Sequence, residues 1–267
     1  MAMYTSDGKP FEPLTRGSAF ETYLTSLGYG AFPVVMRRHT HGKSLVWYGD
    51  SLGAYAGGNG RAGEGFLTQI NKYLGMEMDN RGYAGSNWTG THAGDAPIRI
   101  QQLLDDGVEY DVVLLAWGTN ADKKVKLDEQ GNPVKDENGN PVMIDNFGTA
   151  QDAPAKDGSM CAVMKWAVQS IRAAYPHTGV GIVIPPPGSG GMGCSEEKAN
   201  LMIECCRSED MHVPYLDMWH EGYIVGSTSI SDGSNGLGYQ DVHLSAAGRD
   251  RYASALMPFV ERLCPVI

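Results

Sequence analysis

No run of about 18 consecutive apolar residues occurs anywhere in the chain, so a membrane-spanning helix is not expected. Positive charge is also scarce: 21 Lys and Arg stand against 31 Asp and Glu, for a formal net charge of −10. A protein that neutralises a phosphate backbone gathers Lys and Arg on one face. Here the basic clusters stop at Arg37-Arg38 and Lys123-Lys124, so nucleic acid is not an expected partner. Cysteine is present without a framework. Cys161, Cys194, Cys205, Cys206 and Cys264 form an odd set with no C-x-x-C pair and no zinc-ligand spacing, which implies no disulfide scaffold. Cys205 and Cys206 are neighbours on a helical segment and point about 100° apart, which favours core packing for at least one of them. His39-Thr40-His41 has no carboxylate cluster beside it, and zinc needs three or four ligands, so a surface loop is expected there. Met1 to Pro10 offers neither a basic start nor an apolar stretch, so no secretion signal is expected in it and the compartment stays open.

What is present is enough for one large core. A chain of 267 residues with 42% hydrophobic composition buries a substantial interior without staples. Three short apolar runs, Ser44 to Gly49, Asp111 to Trp117 and Gly179 to Ile184, read as strands buried on both faces, and Pro185-Pro186-Pro187 ends the third. His212 to Leu216 is a further candidate, and a short strand is expected around Met76 to Asp79. Helical spacing marks Phe66 to Leu74, Ile98 to Leu104, Met160 to Tyr175, Ser195 (as N-cap) to Cys206, and Ser245 to Leu263 with a kink at Pro258. Strands of this kind alternating with helices predict a three-layer α/β/α domain on a parallel sheet, with ligands bound beyond the carboxyl ends of the strands.

The predicted domain spans residues 44 to 267, with residues 1 to 43 as an extension packed on it or leading into it. Residues 121 to 158 do not follow the pattern. E-Q-G-N-P-V-K-D at 129 to 136 is echoed by E-N-G-N-P-V-M-I at 137 to 144, and the two Gly-Asn turn signals predict an inserted hairpin or arm.

Chemistry is sought just after the strands. Gly49-Asp50-Ser51-Leu52 follows the first, exposing a hydroxyl near backbone amides, which suits a nucleophile; taken alone, a serine there is also an ordinary helix cap. Gly118-Thr119-Asn120 places an amide side chain at the same edge, able to donate to an oxyanion. The turn from Asn80 to Ser86 brings Gly85 there with a bare backbone N–H, or simply as a turn glycine. Gln240-Asp241-Val242-His243-Leu244-Ser245 sets an imidazole in a loop before the last helix, with an acid two residues ahead of it.

These four blocks, in this order, resemble the SGNH (GDSL-like) hydrolase family over roughly Ser44 to Leu263, excluding the insertion. The resemblance implies a flavodoxin-like parallel sheet and a serine esterase working through an acyl-enzyme. Ser51 matches the nucleophile and His243 the general base. Ser51 N–H, Gly85 N–H and the Asn120 side chain match the oxyanion hole. No metal or organic cofactor is implied. The family's acid stands three residues before the histidine, where this chain has Gln240. Asp241 is the candidate in its place, with a Ser–His dyad or an acid from elsewhere, such as Asp232, as alternatives. Ala121 follows Asn120 where the family commonly has Asp. Tyr55 and Trp88, close in sequence to Ser51 and Gly85, are candidate sugar-stacking rings, with core packing the other role for Trp88. They favour a carbohydrate-linked, short-chain O-acyl ester, in a small molecule or a polysaccharide, over a lipase or lysophospholipase substrate. The alternative from another class is a non-catalytic carbohydrate-binding, tail or adhesin domain on the same fold, displaying the repeat as an exposed arm.

Overall fold

The computed structural model describes residues 39–54, 65–187, 193–221, 238–239, 243–244 and 246–266. The N-terminal extension up to residue 38 lies outside the described residues.

Strand β1 (Ser44–Gly49) is buried from Leu45 onward. It pairs in parallel with β2 (Glu77–Asn80) on one side and β3 (Val112–Ala116) on the other. The sheet continues in parallel through β6 (Gly179–Ile184) to β7 (Tyr215–Asp217), giving the order β2-β1-β3-β6-β7. Period-two alternation sends successive side chains to opposite faces, and both faces are covered. Val46, Tyr48, Val113, Leu115, Ile182 and Ile184 join one core with helices α3 (Ala96–Asp106), α4 (Met160–Ala174) and α5 (Glu196–Arg207). Leu45, Trp47, Val112, Leu114 and Val183 join the other with α2 (Phe66–Leu74) and α6 (Ala246–Leu263). The protein is therefore the expected three-layer α/β/α sandwich. Each large apolar side chain taken out of water here contributes about 1.5–3 kcal/mol, which is why apolar runs without alternation mark the central strands. The outer strand β2, with sequence EMDN, is only half-buried at its two middle residues.

Serine caps set two helix starts, the one at Ser195 as expected and the one at Ser159 not read from the sequence. The Ser159 hydroxyl accepts from Ala162 N at the head of α4, and the Ser195 hydroxyl from Lys198 N at the head of α5. Other boundaries differ from the sequence expectation. The last strand of the five-stranded sheet lies at Tyr215–Asp217 rather than from His212, because Pro214 has no N–H to give a ladder and the His212 backbone takes a positive φ of 35°. Helix α3 begins two residues earlier than expected, with Asp95 as N-cap and Pro97 in its first turn, where a missing N–H costs nothing. Among the described residues no helix is long and apolar enough to cross a membrane.

The insertion divides into two parts. Its outer part is an exposed antiparallel pair, β4 (Lys123–Val125) with β5 (Met143–Asp145), and both strands are solvent-exposed throughout. Between them the repeat forms two similar turns. The Asp128 carboxylate accepts from Gln130 N and Asn132 N at 3.0 and 2.8 Å, and Asp136 from Asn138 N and Asn140 N at 2.9 and 2.8 Å. Lys126 N donates to Val142 O, Val142 N to Val134 O, and Val134 N to Lys126 O, all at 2.8–2.9 Å, so equivalent positions of the repeat close a ring. The part after Asp145 belongs to the domain instead. Asn146 O and Phe147 O accept from Met160 N and Cys161 N at the start of α4, and Ala150 O accepts from the buried Lys165 ammonium at 2.7 Å.

Candidate active site

In a sheet of this order, connections leave β1 and β3 in opposite directions, and the crevice between their carboxyl ends is where ligands bind. Gly49 of β1 is paired with Ala116 of β3, so the residues that follow them, Asp50-Ser51 and Gly118-Thr119-Asn120, leave the sheet side by side. The close fit is physical: a Cβ on Gly49 would lie 2.6 Å from Ala116 O.

Ser51 is the first residue of a four-residue helix, α1 (Ser51–Ala54), and is buried. Its neighbour Asp50, fully buried, holds the turn in shape. One carboxylate oxygen accepts from Leu52 N and the other from Thr119 N, each at 3.0 Å. Burial pushes the Asp50 carboxyl above the usual carboxylate range, against the lowering effect of these two N–H groups. Its role was missed from the sequence, although it sits inside the Gly49-Asp50-Ser51 block.

The Gly85 turn is bound to the same strand end. Gly49 O accepts from Tyr83 N at 2.8 Å and from the Ser86 hydroxyl at 3.2 Å. Asn80 Nδ2 donates to Gly53 O at 2.9 Å, and its Oδ1 accepts from Gly82 N at 3.1 Å. Gly85 is exposed with φ of +80°, the left-handed conformation that a side chain disfavours. Asn120 closes the group: its Nδ2 donates to Ser86 O at 2.9 Å, using one of the two amide hydrogens and leaving the second for another acceptor. Ser51, Gly85 and Asn120, far apart in sequence, thus stand on three segments cross-linked at one sheet edge.

His243 lies in β9 (His243–Leu244), paired antiparallel with β8 (Gly238–Tyr239), rather than in an open loop. Strand β9 lies against α1, the helix that begins at Ser51. Its imidazole, and Asp232, Gln240, Asp241 and Tyr55 as a whole, lie outside the described residues. Trp88 is not at the edge. It is fully buried, its ring 5.2 Å from that of Trp117 in the core under α3 and α4, so it offers no face on which a sugar could stack.

Two further constellations escaped the sequence reading. Asp217, at the end of β7, accepts from Trp219 N and His220 N and holds His220 Nδ1 at 2.8 Å, an Asp-x-x-His pair on the same edge of the sheet. Lys198, fully buried on α5, places its ammonium 2.6 Å from both Asp122 Oδ2 and Asn120 O. A lysine among Ala199, Met202 and Ile203 on the inner stripe of a helix was the available signal, since such a charge needs a partner. The five cysteines are free and buried. Burial pushes the Cys194 thiol up to about 12, far from a thiolate nucleophile. Among the described residues no three His, Cys, Asp or Glu side chains converge as a metal site would require.

No family model and no curated protein sequence matches the chain. Solved structures do. A possible lipase from Chitinophaga pinensis is similar at a TM-score of 0.55 and 18% identity, over 83% of this chain and 98% of that one. A protein from Lactobacillus plantarum is similar at 0.57 and 15% over 83% and 98% of the two chains. A carbohydrate esterase family 2 enzyme with its carbohydrate binding domain, from Corynascus thermopiles (Myceliophthora fergusii), is similar at 0.50 and 13% over 83% and 66%. At these identities the likeness is one of fold.

Proposed function

We propose that this chain, which has the fold of the SGNH-type hydrolases, is a serine esterase. The observation that carries the proposal is the convergence of Ser51, the Gly85 turn and Asn120 at the switch point of the sheet, cross-linked through Asp50 and Ser86. Ser51 Oγ attacks the ester carbonyl while His243 takes its proton. The oxyanion is held by Ser51 N–H, Gly85 N–H and the free hydrogen of the Asn120 amide. His243 then protonates the departing alcohol, and a water molecule, activated by the same imidazole, releases the acid from the acyl-enzyme.

For the substrate we propose a short-chain O-acyl group on a carbohydrate. The Corynascus thermopiles protein of similar fold is a carbohydrate esterase family 2 enzyme, and a partly exposed aromatic ring, Tyr83, with the Arg99 guanidinium over it and His92 packed against it, stands two residues from Gly85 where Trp88 was expected to serve. The test is hydrolysis of p-nitrophenyl esters of increasing chain length beside acetylated polysaccharides. Ser51→Ala is expected to lose turnover and fluorophosphonate labelling while its thermal unfolding stays that of the wild type. A variant retaining more than about a few per cent of activity would remove Ser51 from the mechanism, since the nucleophile of such a site is worth several orders of magnitude.

A further inference from the structure

Asn120 is held from two sides. Its side chain donates to Ser86 O, which ties the third block to the turn carrying Gly85. Its main-chain oxygen, 2.6 Å away, accepts from the Lys198 ammonium, which comes in from α5. The same ammonium lies 2.6 Å from Asp122 Oδ2, and both residues of this ion pair are more than nine-tenths buried. The second oxygen of Asp122 accepts from Thr89 N at 2.8 Å and from the Thr89 hydroxyl at 3.0 Å. Asp122 O in turn accepts from Asn146 N, where the chain returns from the arm. One buried cation therefore joins α5, the Asn120 loop, the loop that follows Gly85 and the base of the insertion.

A lone buried charge is costly, and a buried pair replaced by apolar groups is often no less stable. The pair is better understood by what it holds in place. An oxyanion donor helps only if it is fixed where charge develops, because reorganising it during the reaction would consume the stabilisation it offers. We propose that Lys198 and Asp122 are positioning residues for Asn120: they fix the backbone at its carbonyl and just after it, so that its free amide hydrogen is preset toward the oxyanion position. This rests on the esterase proposal for the identity of the anion, but the holding of Asn120 does not.

The test is a double-mutant cycle on p-nitrophenyl acetate with Lys198→Met, Asn120→Ala and the double variant. If Lys198 acts through Asn120, Lys198→Met lowers kcat by about 10-fold or more with KM nearly unchanged, Lys198→Arg recovers part of the loss, and the double variant is no slower than Asn120→Ala alone. Losses that multiply in the double variant, or a raised KM at unchanged kcat, would overturn the proposal. Where Lys198→Met fails to fold because Asp122 is left unpaired, Lys198→Met with Asp122→Asn removes both charges and takes its place in the cycle. A readout independent of turnover separates this proposal from the esterase one. The side-chain amide signal of Asn120 in a 15N-labelled protein, identified by its absence in Asn120→Ala, should shift or broaden when the ion pair is removed. An unchanged amide signal sinks the positioning role whether or not esters are hydrolysed. A shifted signal in a protein that neither hydrolyses esters nor takes up fluorophosphonate keeps the positioning role and removes the esterase.

Discussion

Ser51 carries the reaction proposed here, but its usefulness depends on which histidine reaches it. His220 and His243 are the two that follow late elements of the fold. His220 is oriented by Asp217 with the Asp-x-x-His spacing that Gln240 to His243 lacks, yet β7 is separated from β1 by β3 and β6. At about 4.8 Å per strand, that is three steps and about 14 Å. His243, by contrast, sits on a strand that lies against α1. His243→Ala is therefore expected to abolish turnover, and His220→Ala to leave it within a few-fold; the reverse outcome would move the base to His220. The orienting acid is a separate question. If Asp241 fills that role, Asp241→Asn should lower kcat/KM by at least about 100-fold, about 2.7 kcal/mol of transition-state stabilisation, with little change in Gln240→Ala. Near-normal activity in Asp241→Asn would point to a dyad or to Asp232.

At the scale of elements, the site depends on how closely β1 and β3 run. Gly49 admits no side chain, since its Cβ would meet both the Ala116 carbonyl oxygen at 2.6 Å and the buried Trp47 indole nitrogen at 3.0 Å. Neither neighbour is the loose end of a flexible chain. Gly49→Ala is expected to cost about 1–3 kcal/mol, measurable by urea unfolding, and to lower turnover by displacing Ser51. Unchanged stability would show that the two strands can part. The opposite ends of the same strands are pinned by Asp111, whose carboxylate accepts from Ser44 N at 2.8 Å and pairs with Lys43 at 3.0 Å. Burial alone would raise this carboxyl, but the hydrogen bonds from Ser44 and Lys43 outweigh it and hold it below the usual carboxylate range. A carboxylate whose folded value is depressed stabilises the fold above its unfolded value and loses that contribution as pH falls through the folded one. Asp111→Asn should accordingly melt below the wild type at neutral pH, with the gap in Tm narrowing in acid. A gap that does not depend on pH would assign the effect to packing.

At the scale of the molecule, the insertion is two things joined end to end. Lys123 and Asp145 face each other across the first rung of the hairpin, where opposing Cα atoms are about 4.5–5.5 Å apart. A short Gly/Ser turn can join them in place of residues 124–144. That replacement is expected to leave Tm nearly unchanged. Extending the deletion through Asp152 should lower Tm markedly, because it removes the carbonyls of Asn146, Phe147 and Ala150 on which α4 and Lys165 depend. Collapse of the shorter variant would show instead that the arm supports the domain.

The chain's own pattern determined the layers and the location of the chemistry. Apolar runs without alternation are stable only between two helical layers, and the residues after such runs must emerge at one edge. From this, Ser51, Gly85 and Asn120 could be placed at one edge from the sequence, and the serine cap at Ser195 could be read as well, whereas the cap at Ser159 emerged only with the structure. What tertiary structure alone decided is everything that depends on partners distant in the chain. Asp50 meets Thr119 across 69 positions and Lys198 meets Asn120 across 78, and no local period records such pairings. The same holds for Trp88. A tryptophan after a glycine-bearing turn has the same sequence signature whether its ring stacks on a sugar or on Trp117. Only the closing of α3 and α4 over the sheet, which removes that ring from water, settled its place.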